Sequence, residues 1–185
     1  MRGERIDFEE LVRERHSVRT YLDQRVEDEK IAAILEAARL APSARNAQPW
    51  RYIVIKDKQT ITELADTGRL NSWIKSAPVI VVACADPSED VTNNGMDYFL
   101  LDVGISMEHL VLQATELGLG TCWLAGYNEE KVKAVLGVPK GIRVVAMTPL
   151  GYPAEKPSIR ESVTKTLARS KNRKPLDEIV RYNKW

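Results

Sequence analysis

The chain has 185 residues, of which 44% are hydrophobic and 29% charged, and a formal net charge of +1, the profile of a globular protein with one sizeable core. No apolar run approaches the roughly 18 residues of a membrane span, and the charged opening of residues 1–5 lacks the apolar centre of a signal peptide, so a cytoplasmic protein is expected. Cys84 and Cys122 stand outside any C-x-x-C pair, and with only His16 and His109 beside them neither a disulfide framework nor a metal site is expected. The charge is unevenly spread: residues 154–185 hold nine Lys/Arg against four Asp/Glu. A basic tail interleaved with glutamates reads as solvated surface rather than as a nucleic-acid arm.

In chain order, the first predicted helix starts at Asp7, which has capping-box spacing to Glu10, and buries a stripe of Phe8, Leu11 and Val12. Residues 17–21 alternate and read as extended, so Arg15, Ser17 and Arg19 project to one side with period two. This is either a convergence of phosphate-competent groups or a basic helix end favoured by the helix dipole. Ile31, Ile34, Leu35 and Ala38 fall on one helical face, and Pro42 ends that helix. Pro42 and Pro49 then stiffen a loop holding Ser43, Asn46 and Gln48, a hydroxyl and two amides. Such a loop suits a planar heterocycle with mixed polar edges, and equally a turn whose polar residues satisfy their own backbone.

Residues 51–56 read as a strand, and residues 60–65 as a short helix with Thr60 and Glu63 as its cap pair. The run 77–85 is continuous and rich in β-branched residues, the pattern of a central strand buried on both faces. A polar loop over 86–95 leads to the longest periodic segment, 97–117. Its wide apolar face includes Leu100, Val103, Met107, Leu110 and Val111; Gly118 fits its C′ position, and Gly104 would admit another helix. Asp102 reads more readily as a buried hydrogen-bonding group than as a functional carboxylate, and His109 as a satisfied core residue. A short strand over 121–124, the turn at Ala125 and Gly126, a helix over 128–136 closed by Gly137, and a strand over 142–151 follow. Gly126 either lets backbone N–H groups approach a flat ligand or simply makes a turn. The tail keeps Leu176, Ile179, Val180, Tyr182 and Trp185, too many apolar groups for a disordered segment, and a partner subunit is the expected cover.

Taken together, these stretches resemble the flavin-dependent nitroreductase family in its short form, over nearly the whole chain. Residues 15–19 (Arg-His-Ser-Val-Arg) look like its N-terminal phosphate motif, and residues 42–50 (Pro-Ser-Ala-Arg-Asn-Ala-Gln-Pro-Trp) like its ring-edge loop. Residues 118–123 followed by Ala125 and Gly126 resemble its second ring-contacting segment, and Lys171 with Arg173 its C-terminal basic pair. A longer segment over 158–170, just before Lys171, departs from the commonest short pattern, and Asn71 lies near a position where longer members touch the ring.

The resemblance implies an α+β sandwich, a mostly antiparallel central sheet flanked by helices, assembled as an intertwined homodimer with FMN at the interface. Residues 1–153 would form the single FMN-binding domain, and 154–185 a basic extension packing on the partner. Arg15, His16, Ser17 and Arg19, with Lys171 and Arg173, would hold the phosphate; Pro42, Ser43, Asn46 and Gln48 the flavin's pyrimidine edge or ribityl chain; Ala125 and Gly126 would face N5. Hydride would pass from NADH or NADPH to N5 and then to a small acceptor such as a nitroaromatic or quinone, in ping-pong fashion and with no catalytic side chain. The absence of G-x-G-x-x-G argues that the donor uses the flavin site itself. The rival expectations are reductive dehalogenation, flavin fragmentation, a non-catalytic flavin-binding protein and a basic-tailed interaction protein.

Overall fold

The structure is a computed structural model that describes residues 7–154 and 173–185. The chain divides into two units between residues 154 and 155. The first unit is built on strand β2 (Val79–Ala85), whose seven residues are all buried. Its alternating side chains serve two cores. Val79, Val81 and Ala83 meet α2 (Asp28–Arg39) and α4 (Tyr98–Glu116), while Ile80, Val82 and Cys84 face Ile61, Leu64 and Val132 of α3 (Lys58–Ala65) and α5 (Glu129–Leu136). A strand covered on both faces must be apolar throughout, which accounts for its continuous β-branched run.

β1 (Trp50–Ile55) and β6 (Arg143–Gly151) pair antiparallel on either side of β2, and the two-residue β5 (Gly120–Thr121) pairs with β6. The order β1-β2-β6-β5 is antiparallel throughout, and with helices on both faces it makes the α+β sandwich anticipated above. The extended segment after α1 (Phe8–Glu14) joins the β5 edge through a parallel bridge from Ser17 to Thr121. Gly120 permits that approach, because a Cβ there would lie 2.7 Å from the Val18 side chain. Gly118 (φ 75°) and Gly137 (φ 67°) close α4 and α5 in the left-handed conformation.

Several local readings need correction. α3 starts at Lys58 because Asp57, not Thr60, caps it: the Asp57 carboxylate accepts the Thr60 backbone N–H at 2.8 Å. The loop over 86–95 runs into a small hairpin, β3 (Thr92–Asn93) and β4 (Met96–Asp97), turned by Asn94 and Gly95 with φ of 52° and 74°. Two successive left-handed residues make a turn whose twist matches the strands, and Asn-Gly was its signal. The α1 stripe is not buried: Phe8 and Val12 are 69% and 47% exposed, and on α4 Leu100 and Leu101 are exposed as well. No atom lies within 4 Å of a Cβ built on Gly104, so within the described residues no helix packs closely there.

In the second unit, α6 (Leu176–Ile179) is a single turn, and Leu176, Ile179, Tyr182 and Trp185 are exposed. Among the described residues no helix is long and apolar enough to cross a membrane.

Candidate functional site

Three segments carry the polar groups that the sequence singles out. The first is the exit from α1. Val18 donates its N–H to the Thr121 carbonyl (2.8 Å), and Val18 and Tyr21 turn into the core, where the Tyr21 hydroxyl donates to the Val18 carbonyl (2.6 Å). Alternation about Val18 puts Ser17 and Arg19 on the other side of the strand, and Arg15, Ser17 and Arg19 are all half-buried. Arg19 sits against Trp73, its guanidinium carbon 6.0 Å from the ring centroid, and its Nη1 is covered yet has no acceptor among the described residues. A charged donor in that state fits an anion. His16 is exposed, with Nδ1 2.8 Å from the Glu14 carbonyl, and lines a cavity of about 330 Å³ whose wall includes none of Arg15, Ser17 and Arg19.

The second segment is the loop between α2 and β1. Three of its four residues from Arg45 to Gln48 are non-glycine and left-handed: Arg45 (φ 51°), Asn46 (φ 58°) and Gln48 (φ 51°). Each such residue costs on the order of 1 kcal/mol, so the surroundings must hold them in place. Two anchors do this. The Ser43 hydroxyl accepts the Gln48 N–H at 2.9 Å, and both Asp102 oxygens accept the Ala44 N–H, at 3.0 and 3.1 Å. Gln48 Nε2 donates to Asn46 Oδ1 (3.0 Å), which leaves Asn46 Nδ2 and Gln48 Oε1 without a partner among the described residues and exposed. One donor and one acceptor side by side match the mixed edge of a heterocycle. Pro42 is exposed at the start of this loop.

Asp102, on the buried face of α4, was legible only as a hydrogen-bonding group; its partner 58 residues away could not be read from sequence. Burial raises its pKa, the Ala44 N–H offsets part of that rise, and the Asp90 carboxylate adds to it. Asp90 Oδ2 is itself covered and unpartnered among the described residues.

The third segment is the turn after β5. Leu124 exchanges both backbone hydrogen bonds with Met147 at 2.9 Å, and Ala125 and Gly126 then stand clear of the sheet, both exposed. Gly126 has no left-handed φ, and a Cβ on it would meet nothing within 4 Å. Neither packing nor backbone conformation within the described residues demands glycine there, so the space is open to a ligand. The turn is held from outside. Asn71 Nδ2 donates to the Gly126 carbonyl and the Asn128 N–H to the Thr67 carbonyl, each at 2.9 Å, and the Tyr127 hydroxyl donates to the Val144 carbonyl at the same distance.

Asn71, which the sequence offered as a weak ring contact, is 3% exposed and braces Gly126. Gly68 is a further requirement that sequence reasoning missed, because a Cβ there would lie 2.2 Å from Asn71 Nδ2 and 2.3 Å from the Gly126 carbonyl oxygen. Behind the turn, Glu129 accepts from Arg143 (2.9 Å) and from the Val144 N–H (3.0 Å), and the Arg143 guanidinium first of all draws its pKa from an ordinary 4.5 to about 2. Both cysteines are buried, and burial pushes Cys84 up to about 11, so Cys84 is not a ready nucleophile. Arg173 belongs to the second unit, and Lys171 lies outside the described residues.

Comparison with known proteins gives this arrangement a context. The family model described as the Nitroreductase family matches residues 12–68 and 62–152. A protein of Archaeoglobus fulgidus, provisionally named NADH dehydrogenase/NAD(P)H nitroreductase, is 35% identical over 156 residues, 82% of this chain and 88% of that one. Among solved structures, a nitroreductase family protein from Clostridium difficile 630 superposes with a TM-score of 0.83 at 34% identity, over 97% of this chain and 100% of that one. An FMN-dependent nitroreductase from Clostridium difficile R20291 does so with a TM-score of 0.77 at 28% identity, over 95% and 98%. A match that runs from the end of α1 through β6, on the same sandwich, means that the chain belongs to the nitroreductase family.

Proposed function

We propose that this protein is an FMN-dependent oxidoreductase that takes a hydride from NADH or NADPH and passes it to a small acceptor such as a nitroaromatic or quinone. The observation that carries the reading is unspent polar capacity: Arg19 Nη1 lacks an acceptor, Asn46 and Gln48 offer one donor and one acceptor, and Gly126 leaves open backbone. A phosphate dianion at one end and a flat ring with mixed edges at the other would use all three. The FMN-dependent relative supports the same cofactor.

In this reading Arg15, Ser17 and Arg19 bind the FMN phosphate together with Lys171 and Arg173, each charge-assisted bond contributing about 1.5–3 kcal/mol. His16, whose ring lines another cavity, serves the motif through its backbone. Pro42 and Ser43 fix the loop from which Asn46 and Gln48 meet the pyrimidine edge or ribityl chain, and Ala125 with Gly126 gives backbone groups to the reactive edge. Bound FMN supplies the hydride-accepting and hydride-donating centre. The chain's own residues position it and hold its charge, and no side chain need act as acid or base.

Residues 1–153 would be the FMN-binding domain and residues 154–185 an extension onto the partner in a homodimer. Support for the dimer comes from Phe8, Val12, Leu100 and Leu101, large apolar side chains left exposed on α1 and α4. A reduced pyridine dinucleotide as donor fits a cytoplasmic setting.

The test is the variant with both Arg15→Ala and Arg19→Ala. Its apoprotein should melt within a few degrees of the unchanged protein yet emerge colourless from incubation with FMN. Equal losses of apo stability and FMN affinity would make these arginines structural instead.

A further inference from the structure

Beside Gly126 lies an open groove of about 740 Å³, whose wall includes Asp66, Arg69, Asn71, Tyr127, Asn128 and Lys131. That volume is in the upper part of the range of about 300–1,000 Å³ that small-molecule sites occupy. Its neutral polar side chains are each tied to the protein: Asn71 Nδ2 donates to Gly126, the Tyr127 hydroxyl donates to Val144, and Asn128 Oδ1 accepts the Lys131 N–H (3.0 Å). The acidic residues on and around it are spent as well. Asp66 pairs with Lys75 (2.9 Å), Glu129 with Arg143, and Glu130 with Lys133 (3.6 Å). What is left over is positive. Neither the Arg69 guanidinium nor the Lys131 ammonium has an acceptor among the described residues, and both side chains are exposed on the groove.

A wall whose neutral side chains are tied to the protein and whose uncommitted charges, among the described residues, are cations selects an anion. Its position selects further, because the groove shares Gly126 with the edge at which hydride transfer is proposed. The ligand that must bring both a hydride and several phosphate oxygens is the reduced pyridine dinucleotide. We propose that Arg69 and Lys131 form an anion subsite that takes phosphate groups of NADH or NADPH while the nicotinamide reaches past Gly126. The proposal rests on the flavin reading of the site and adds to it where the rest of the donor lies.

The test uses FMN-loaded protein with Arg69→Gln, Lys131→Gln and both changes, assayed with NADH, NADPH and 1-benzyl-1,4-dihydronicotinamide, a hydride donor without phosphate. Each single change should raise the dinucleotide KM about fivefold and the pair about twentyfold, the scale of exposed charge-assisted contacts. The KM of the benzyl donor and the FMN dissociation constant should stay put. NAD+ or NADP+ affinity, read from perturbation of the flavin band, should fall in parallel with the KM effect. A larger loss for NADPH than for NADH assigns the 2′-phosphate to the subsite, and equal losses assign the diphosphate.

Unchanged KM for both dinucleotides, or an equal rise for the benzyl donor, overturns the proposal. A protein that retains no FMN, or that the benzyl donor does not bleach, instead fails the flavin reading and takes the subsite down with it. The two failures are therefore distinguishable.

Discussion

The loop between α2 and β1 and the turn after β5 are the two edges of the proposed site, and they are held in place by opposite means. The loop carries its strain internally, with left-handed Arg45, Asn46 and Gln48, and is tied down by its own Ser43 and by Asp102. The turn shows no left-handed residue and is held from a distance, by Asn71, Thr67 and the clearance that Gly68 provides. A rigid edge can thus be made by storing strain and anchoring it, or by leaving a relaxed backbone open and bracing it from outside.

The largest effect that would break this contrast is expected from Gly68→Ala. Its Cβ meets the Gly126 carbonyl oxygen as well as the Asn71 amide, and the backbone oxygen cannot swing aside as a side chain can, so relief requires the turn to move. Overpacking of this kind costs about 1–3 kcal/mol, and a denaturant midpoint measurement should show it. Next comes Asp102→Ala, which leaves the part-buried Ala44 N–H without its acceptor and should cost about 1–3 kcal/mol. Because the strained loop loses its anchor, FMN affinity by fluorescence quenching should fall as well. Stability lost with FMN affinity intact would mean that the loop does not meet the flavin.

Gly126→Ala sharpens the contrast with Gly68. No clash arises within the described residues, so unfolding free energy should change by less than about 0.5 kcal/mol. FMN affinity should nonetheless drop severalfold, because the methyl occupies the space assigned to the ring edge. An unchanged FMN affinity would remove Gly126 from the site.

The smallest effect is in pH, where the two edges should respond with opposite sign. The folded-state pKa of Glu129 is depressed, so its stabilisation is full above its ordinary 4.5 and is lost as pH falls towards about 2. The folded-state pKa of Asp102 is raised, so its contribution is full below its ordinary 3.8 and is lost as pH rises through the folded value. Glu129→Gln should flatten the acid limb of the stability profile, and Asp102→Asn the limb above it. A Glu129→Gln profile that keeps the acid slope would assign that slope to other carboxylates.

What could be read from the sequence follows from what is local. The β2 run, the periodicity of α4, the Asn128 and Gly137 caps and the order of the three polar segments all reside in neighbouring residues, and the structure bears these elements out. The hairpin at Asn94 and Gly95 was legible too, but the polarity of its flanks reads as loop. Asp57 displaced Thr60 as a cap because both types suit the position and only the chain direction decides. Periodicity shows that Phe8, Val12 and Leu100 share apolar faces, but not whether their own chain covers them. The braces of the site span the fold, Asp102 to Ala44 and Asn71 to Gly126, and no local pattern encodes such contacts.

The central claim, that these two edges hold an FMN that cycles with NAD(P)H, is tested most directly by one spectroscopic experiment. The purified protein is incubated with FMN, desalted, and mixed with NADH or NADPH without air. The account predicts that a stoichiometric flavin band survives desalting, bleaches with at least one donor, and returns on addition of a quinone or nitroaromatic. A folded protein that releases its FMN on desalting, or a bound flavin that neither donor bleaches, would contradict it.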